Sequence, residues 1–251
     1  MGEPVRASVA GCRTRPLPRS EPGAVDRPSV HSGGREPGRI QRGTDGDSVT
    51  STARPPERQI RAVFDGETIT VYQAYSAAIA VPAAASGSLL GTPFSLNRMT
   101  WVKPSFLWMM YRSGWATKPG QEHVLAIRMS RAGFEDALAM ACLSHFDPDA
   151  YADRETWSRR KEASPVRVQW DPERDITLGP LPWRAIQIGL AGEAARLFAQ
   201  DWTVQITDIT EHVRQVHELV VSGRRDAAVE QLPDERPYPL AGDLAQVIGA
   251  T

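Results

Sequence analysis

The stretch RMTWVKPSFLWMMYRSGW, residues 98–115, brings cations and aromatic rings together over a short length. Positive charges beside aromatic faces are suited to stacking on a flat ring, such as a base or a nicotinamide, while they hold a phosphate group. The segment FLWMM is apolar nearly all round a helix, which predicts that it lies in the core. The residues that we predict to contact a ligand are Arg98, Trp101, Lys103 and Ser105. The alternative for these four is a solvated flank with internal cation–π contacts.

A second group of candidates ends a predicted strand, VYQAYS at residues 71–76. Tyr72 and Gln73 combine apolar surface with hydrogen-bonding tips, and polar residues at a strand end often line a cleft. Tyrosine also suits a strand for packing reasons alone, so a structural role stays open. Arg61 alternates outward from Ile60 and Ala62 on the preceding strand, where it faces either solvent or the same cleft.

The third candidate is WDPERD, residues 170–175, which places three carboxylates and an arginine directly after a predicted strand. A catalytic acid or base is commonly placed there, and we take Glu173 as the candidate catalytic residue. The alternative is a charged turn built around proline. No histidine or second carboxylate cluster has a recognised ligand spacing, so we predict no metal ligand.

Several well-defined motifs are absent from the sequence. It has no GxGxxG after a strand, no GxxxxGK[ST], no GxSxG, no HExxH and no paired CxxC. A Rossmann dinucleotide site, a P-loop NTPase, a serine-hydrolase elbow and a zinc finger are therefore not expected. The formal net charge of −1 gives no overall field that would attract nucleic acid.

The cellular compartment follows from the cysteines and from hydropathy. Cys12 and Cys142 lie far apart in the sequence, so a structural disulfide is not expected and a reducing cytoplasm fits. No apolar run reaches the roughly 20 residues that span a bilayer. We therefore expect a cytoplasmic protein without a membrane partner.

Residue patterning predicts the elements that must position these candidates. We expect a β-hairpin over 59–64 and 67–74, turning at Asp65-Gly66, because that dipeptide accepts a tight turn. The strands expected beyond it are 123–129, 165–170, 184–190 and 204–209. The helices expected are 76–87, 104–113, 131–146, 152–162, 192–200 and 211–221, with a last short helix after them.

Mixed strands and helices without a regular βαβ rhythm predict the α+β class. We expect a single domain over residues 58–240, with a mixed or antiparallel central sheet flanked by helices. Residues 1–57 are rich in Pro, Gly, Ser and Arg, and we expect them to be a disordered tail. Residues 241–251 are expected to be a C-terminal tail.

Several strings resemble an uncharacterised family catalogued as domain of unknown function 4291, found in bacteria and fungi. They are RQIRAVFDGETITVYQAYS, RMTWVKPSFLWMMYRSGW, LSHFDP, VQWDPERD, LPWRAIQIGL and ERPYPL. The resemblance extends over residues 58–240 and implies no established activity.

The order of a VYQAYS-type strand end, an alanine-rich helix, a W-x-K-P-S segment and a late Glu-containing turn is also similar to the ADP-ribosyltransferase-like fold. That resemblance implies NAD as the cofactor. It would place Arg61 on the diphosphate, Tyr72 or Trp101 on the nicotinamide, and Glu173 on a ribose hydroxyl or on the acceptor. Tyr72-Gln73 stands where that superfamily has His-Gly.

We therefore predict a protein that binds a nucleotide-like small molecule, with NAD as one candidate, in a cleft between the 59–74 hairpin and segment 98–118. Two alternatives stay open. One is an RNA-binding or single-strand nucleic-acid-binding module, in which the aromatic rings stack on bases and the cations contact phosphates. The other is a non-catalytic interaction domain.

Overall fold

A computed structural model describes residues 55–251 of the chain. The helices are α1 (Ala77–Ser86), α2 (Phe106–Ser113), α3 (Arg131–Ala139), α4 (Arg154–Ala163), α5 (Gly192–Leu197), α6 (Thr210–Val221), α7 (Arg225–Glu230) and α8 (Gly242–Ile248), with a π-helical segment at Phe198–Trp202. The strands are β1 (Arg61–Ala62), β2 (Thr68–Tyr75), β3 (Thr100–Val102), β4 (His123–Ser130), β5 (Ala141–Leu143), β6 (Val166–Arg174), β7 (Pro180–Leu190), β8 (Thr203–Asp208) and β9 (Arg236–Pro237).

The strands form two larger sheets and one short pair. The first sheet has the antiparallel order β2-β4-β8, and the second has the order β3-β7-β6-β5, in which only β5 and β6 run parallel. Tyr72 and Lys103 exchange backbone hydrogen bonds of 2.7 and 3.2 Å, which join β2 to β3 and so connect the two sheets. The predicted α+β class is therefore confirmed.

Strand β2 separates two cores because successive side chains point to opposite faces. Ile69, Val71 and Tyr75 belong to the larger core, which α1, α3 and the second sheet complete. Tyr72 belongs to the smaller core, which also contains Phe106 of α2 and residues of α6.

Local sequence signals set the limits of the helix that carries FLWMM. The Ser105 hydroxyl accepts a 3.1 Å hydrogen bond from the Trp108 N–H, which caps the first turn of α2. Gly114 ends the helix at φ 61°, a left-handed conformation that favours glycine. Phe106, Met109 and Met110 are buried, as their pattern predicts.

The predicted 59–74 hairpin forms only in part. The chain reverses at Asp65-Gly66, and the Val63 carbonyl accepts a 2.8 Å bond from the Thr70 N–H. Beyond that point the edge of β2 pairs with Lys103, so Arg61–Ala62 of the first predicted strand pairs instead with Arg236–Pro237. The sequence pattern could not reveal this competition for one strand edge.

Two further element boundaries were wrong. The helix predicted over 131–146 ends at Ala139, and Ala141–Leu143 forms a strand parallel to β6. A short, wholly apolar run fits a buried strand as well as a helix, so periodicity cannot distinguish them. Strand β6 continues to Arg174 instead of ending at Trp170, and its register shifts between Pro172 and Arg174. This irregularity aims Glu173 into the interior.

The expected 1–57 tail lies outside the described residues except for its last three. At the other end, residues 242–248 form helix α8, whose Ile248 is fully buried. The Trp170 Nε1–H donates a 2.7 Å hydrogen bond to the Ile248 carbonyl. Among residues 55–251, no helix is both long enough and apolar enough to cross a membrane.

We expect Gly133→Ala to destabilise the protein by about 1–3 kcal/mol, the usual cost of overpacking a core. An added Cβ would lie 2.3 Å from Cγ and Cδ1 of the buried Trp202 ring. A glycine-to-alanine change inside a helix would otherwise stabilise it. Urea unfolding measures the difference. Gly66→Ala is the control, because its added Cβ meets nothing within 4 Å. A Gly133→Ala variant as stable as the unmodified protein would contradict the packing described.

Candidate functional site

A cleft of about 620 Å³ opens where the two sheets meet. The C-terminal end of β2 and strand β3 form one part of its wall, and α2, the 119–121 loop and the centres of β6 and β7 form the rest. The polar and aromatic side chains that line it are Gln73, Tyr75, Ser76, Arg98, Thr100, Trp101, Lys103, Arg112, Gln121, Gln169 and Gln187. Four of the predicted ligand-binding residues, Gln73, Arg98, Trp101 and Lys103, are therefore brought together.

Gln73 is held rigidly in this wall by its neighbours on β3. Its Nε2 donates to the Thr100 hydroxyl at 2.7 Å and to the Trp101 carbonyl at 3.1 Å. The side chain is only 3% exposed, and among the described residues its Oε1 has no hydrogen-bond partner. A buried amide oxygen without a partner is costly, so this atom is suited to accept a bond from a ligand.

Lys103 is 6% exposed, an unusual degree of burial for a lysine. Its Nζ donates to the Trp101 carbonyl at 3.1 Å and lies 5.4 Å from the centre of the Trp108 ring. Burial, reinforced by the positive charge of Arg112, lowers the pKa of Lys103 to about 7, against a smaller opposite effect of Asp171. Charged and neutral amines therefore coexist at neutral pH.

Trp101 rests on a glycine of the neighbouring strand. A Cβ added to Gly189 would lie 2.9 Å from Cζ2 of Trp101 and 2.6 Å from the sulfur of Met99. The absence of a side chain at this position lets the indole lie against β7. One surface of the Trp101 indole therefore packs against the backbone of β7 at the edge of the cleft.

Two glutamines form the floor of the cleft from paired positions of β6 and β7. Gln187 Nε2 donates to Gln169 Oε1 at 2.8 Å and to Asp171 Oδ2 at 2.6 Å. Burial raises the pKa of Asp171, with the Gln187 hydrogen bond and Lys103 acting in the opposite direction. The floor therefore offers amide groups of fixed orientation.

The other predicted residues do not line the cleft. The Tyr72 ring faces the smaller core and packs edge-on against Phe106 at 5.6 Å between centroids. Arg61 Nη2 donates to the Glu235 carbonyl at 3.1 Å. Ser105 and Glu173 contact each other, with the hydroxyl donating to Glu173 Oε1 at 2.9 Å. Strand alternation explains the division of Tyr72 from Gln73.

A second polar cluster therefore surrounds the start of α2. Glu235 Oε1 accepts a 2.6 Å hydrogen bond from the Phe106 N–H, the place where a helix favours a negative charge. Burial of its carboxyl group nevertheless raises the pKa of Glu235 to about 8, although the residue as a whole retains some exposure. The nearby Glu173 raises it further, and Arg61 lowers it. Burial also raises the pKa of Glu173.

The sequence predictions did not include Arg112, Gln169, Gln187 or Glu235 as site residues. Gln187 is a polar residue inside the otherwise apolar run 185–190, a signal that a sequence reading could have used, whereas Gln169 alternates with apolar residues as in any half-buried strand. Arg112 belongs to the cations of segment 98–118, which were expected to contact phosphates only in the nucleic-acid-binding alternative. Glu235 reaches this region from a distant loop, and no local pattern indicates that.

Within residues 55–251, no group of three His, Cys, Asp or Glu side chains could hold a metal ion. The sequence over residues 59–238 matches the model of a protein family described as a domain of unknown function. No curated protein matches the chain.

We expect Glu235→Gln to make stability less dependent on pH. The folded-state pKa of Glu235, about 8, exceeds the ordinary value of 4.5, so folding binds a proton between these values. The stability of the unmodified protein should therefore fall as pH rises from about 5 to 8. Glutamine mimics the protonated acid, so at pH 9 the variant should be more stable than the unmodified protein, by about 1 kcal/mol or more.

Urea unfolding at pH 5, 7 and 9 measures this difference, and Glu230→Gln, at an exposed position of α7, is the matched control. Parallel pH profiles for Glu235→Gln and the unmodified protein would show that Glu235 is ionised in the folded state throughout.

Proposed function

We propose that this chain, which belongs to the DUF4291 family of unknown function, binds a small anionic ligand with a flat ring, such as a nucleotide, in the cleft at the sheet junction. One observation carries the proposal. Three cations and the Trp101 indole line the same cleft, while none of its described lining residues is acidic. Such a wall favours a ligand that combines negative charge with an aromatic surface.

The two arginines of the cleft supply the positive charge. Arg98 and Arg112 are exposed, and within residues 55–251 neither forms an ion pair with a carboxylate. A planar guanidinium presents its N–H groups in a fork that matches two oxygens of a phosphate. Unpaired arginines that border one cavity therefore favour phosphate or carboxylate as the charged part of the ligand.

The remaining lining groups suit the ring of the ligand. Trp101 provides a flat surface, and Gln73, Gln169 and Gln187 provide amide groups that can pair with the edge of a base. The volume of about 620 Å³ lies within the range of about 300–1,000 Å³ that is usual for small-molecule sites. A mononucleotide or a similar molecule fits this combination.

NAD is one member of this ligand class. The roles implied for Arg61, Tyr72 and Glu173 would require those side chains at the ligand, whereas they surround the start of α2 outside the cleft. We therefore propose that the cleft residues alone contact the ligand, whichever nucleotide it is.

We expect a thermal-shift panel of ATP, AMP, ADP-ribose and NAD to contain at least one ligand that stabilises the full chain. At 100 times Kd the gain would be about 2.7 kcal/mol. Arg98→Ala and Arg112→Ala should each weaken that binding about tenfold, the equivalent of about 1.4 kcal/mol from a lost charged hydrogen bond. Arg159→Ala is the matched control, because Arg159 is an exposed residue of α4.

If no member of the panel stabilises the protein, the proposal is wrong. Equal affinity in Arg98→Ala, Arg112→Ala and the unmodified protein would place the ligand elsewhere. If single-stranded RNA binds in place of the panel, with affinity that falls steeply as salt rises, the chain is a nucleic-acid-binding module instead.

A further inference from the structure

We infer that Lys103 is an amine nucleophile that forms an imine with an aldehyde or ketone carbonyl of the ligand held in this cleft. This inference rests on the proposed function, from which we take it that the ligand has an anionic part. It adds the chemical class of the reacting group and gives Lys103 a covalent role.

The first observation is the burial of Lys103 without a counter-ion. Its side chain lines the cleft but is 6% exposed, and within residues 55–251 no carboxylate lies within ion-pair distance of Nζ. A buried ammonium group without a paired charge is unfavourable, so the fold favours the neutral amine. The neutral amine is the nucleophilic form of lysine.

The second observation is the charge distribution around the amine. Arg112 of α2 repels a proton on Nζ, while Asp171 of β6 attracts one more weakly, and burial is the largest influence. The other cleft walls contribute the charged Arg98 and the neutral amides of Gln73 and Gln187. These effects lower the pKa of Lys103 to about 7, so a substantial fraction of the amine is neutral under physiological conditions.

The third observation is a set of polar atoms that lack partners beside the amine. Lys103 Nζ and Gln73 Nε2 both donate to the Trp101 carbonyl, which brings the two side chains together. Among the described residues, Gln73 Oε1 has no hydrogen-bond partner, and neither has Nε1 of Trp108, whose ring lies beside Nζ. Because Gln73 lines the cleft, its Oε1 is an acceptor available next to the amine for a polar reacting group.

The step balances without an oxidant or a metal ion. The Nζ lone pair adds to the carbonyl carbon, the C–N bond forms and the carbonyl oxygen takes up a proton. The resulting carbinolamine then loses water as the C=N bond forms, and the two protons of the amine leave with that oxygen. Anion binding alone would not require a buried lysine, because Arg98 and Arg112 already supply exposed positive charge.

The chain has only three lysines, Lys103, Lys118 and Lys161, which makes a direct test simple. Pyridoxal 5′-phosphate, which carries an aldehyde, a ring and a phosphate, is the probe. After incubation at pH 7, borohydride reduces any imine to a stable amine, and peptide mass mapping locates it. We expect labelling of Lys103 to exceed that of either other lysine at least about tenfold, because a pKa of about 7 leaves a large fraction of its buried amine neutral at this pH.

Lys103→Arg should abolish this labelling, whereas Lys118→Arg and Lys161→Arg should retain it. The rate of Lys103 labelling should rise with pH and level off above about 7 to 8. The measurement on the unmodified protein does not depend on whether Lys103→Arg folds. Labelling of Lys103 at the rate of Lys118, or with no levelling below pH 9, would overturn the inference.

A second probe, pyridoxal without the phosphate, separates the inference from the proposed function. Faster labelling of Lys103 by the phosphorylated probe, with protection by a nucleotide from the panel, supports both. Selective labelling at equal rates by both probes supports the nucleophile and counts against anion binding. Nucleotide stabilisation without selective labelling by either probe supports anion binding and overturns the nucleophile.

Discussion

Two backbone hydrogen bonds between Tyr72 and Lys103 determine how the rest of this structure is arranged. They join an antiparallel three-stranded sheet to a mixed four-stranded sheet at a single point. Because the sheets meet there without a longer ladder, their surfaces diverge and leave a cleft. The same bridge fixes the sides on which β2 and β3 present their side chains, so Gln73 lines the cleft while Tyr72 enters the smaller core.

Two ionisable groups near this junction, the amine of Lys103 and the carboxyl group of Glu235, are shielded from water. Desolvation favours the neutral form of each, so it lowers the pKa of Lys103 to about 7 and raises that of Glu235 to about 8. Lys103 borders a cavity that can admit a reactant, whereas Glu235 is bonded to the first turn of α2. Desolvation therefore favours a neutral, nucleophilic amine at Lys103, and it makes the stability of the fold depend on pH through Glu235.

Sequence reasoning proposed one group of ligand contacts, and the structure divides that group between the cleft and the polar cluster at the start of α2. Arg98, Trp101 and Lys103 were chosen because cations and rings alternate in one segment, and all three line the cavity. Ser105 lies two residues further on and caps α2 instead. The register shift in β6 then turns Glu173 toward Ser105, and such an irregularity leaves no distinct local signal.

By itself, the sequence determined the α+β class, the end of α2 at residue 113 and the family of the chain, because helix stops, turns and characteristic strings are local properties. Tertiary structure alone decided that β2 pairs with Lys103, that Glu235 reaches the start of α2 and that Gln169 and Gln187 complete the cleft. These contacts join residues far apart in the chain, and each depends on competition for a strand edge or on the register of a distant pair of strands. The depth at which Lys103 is buried, and with it the lowered pKa of its amine, follows from that assembly.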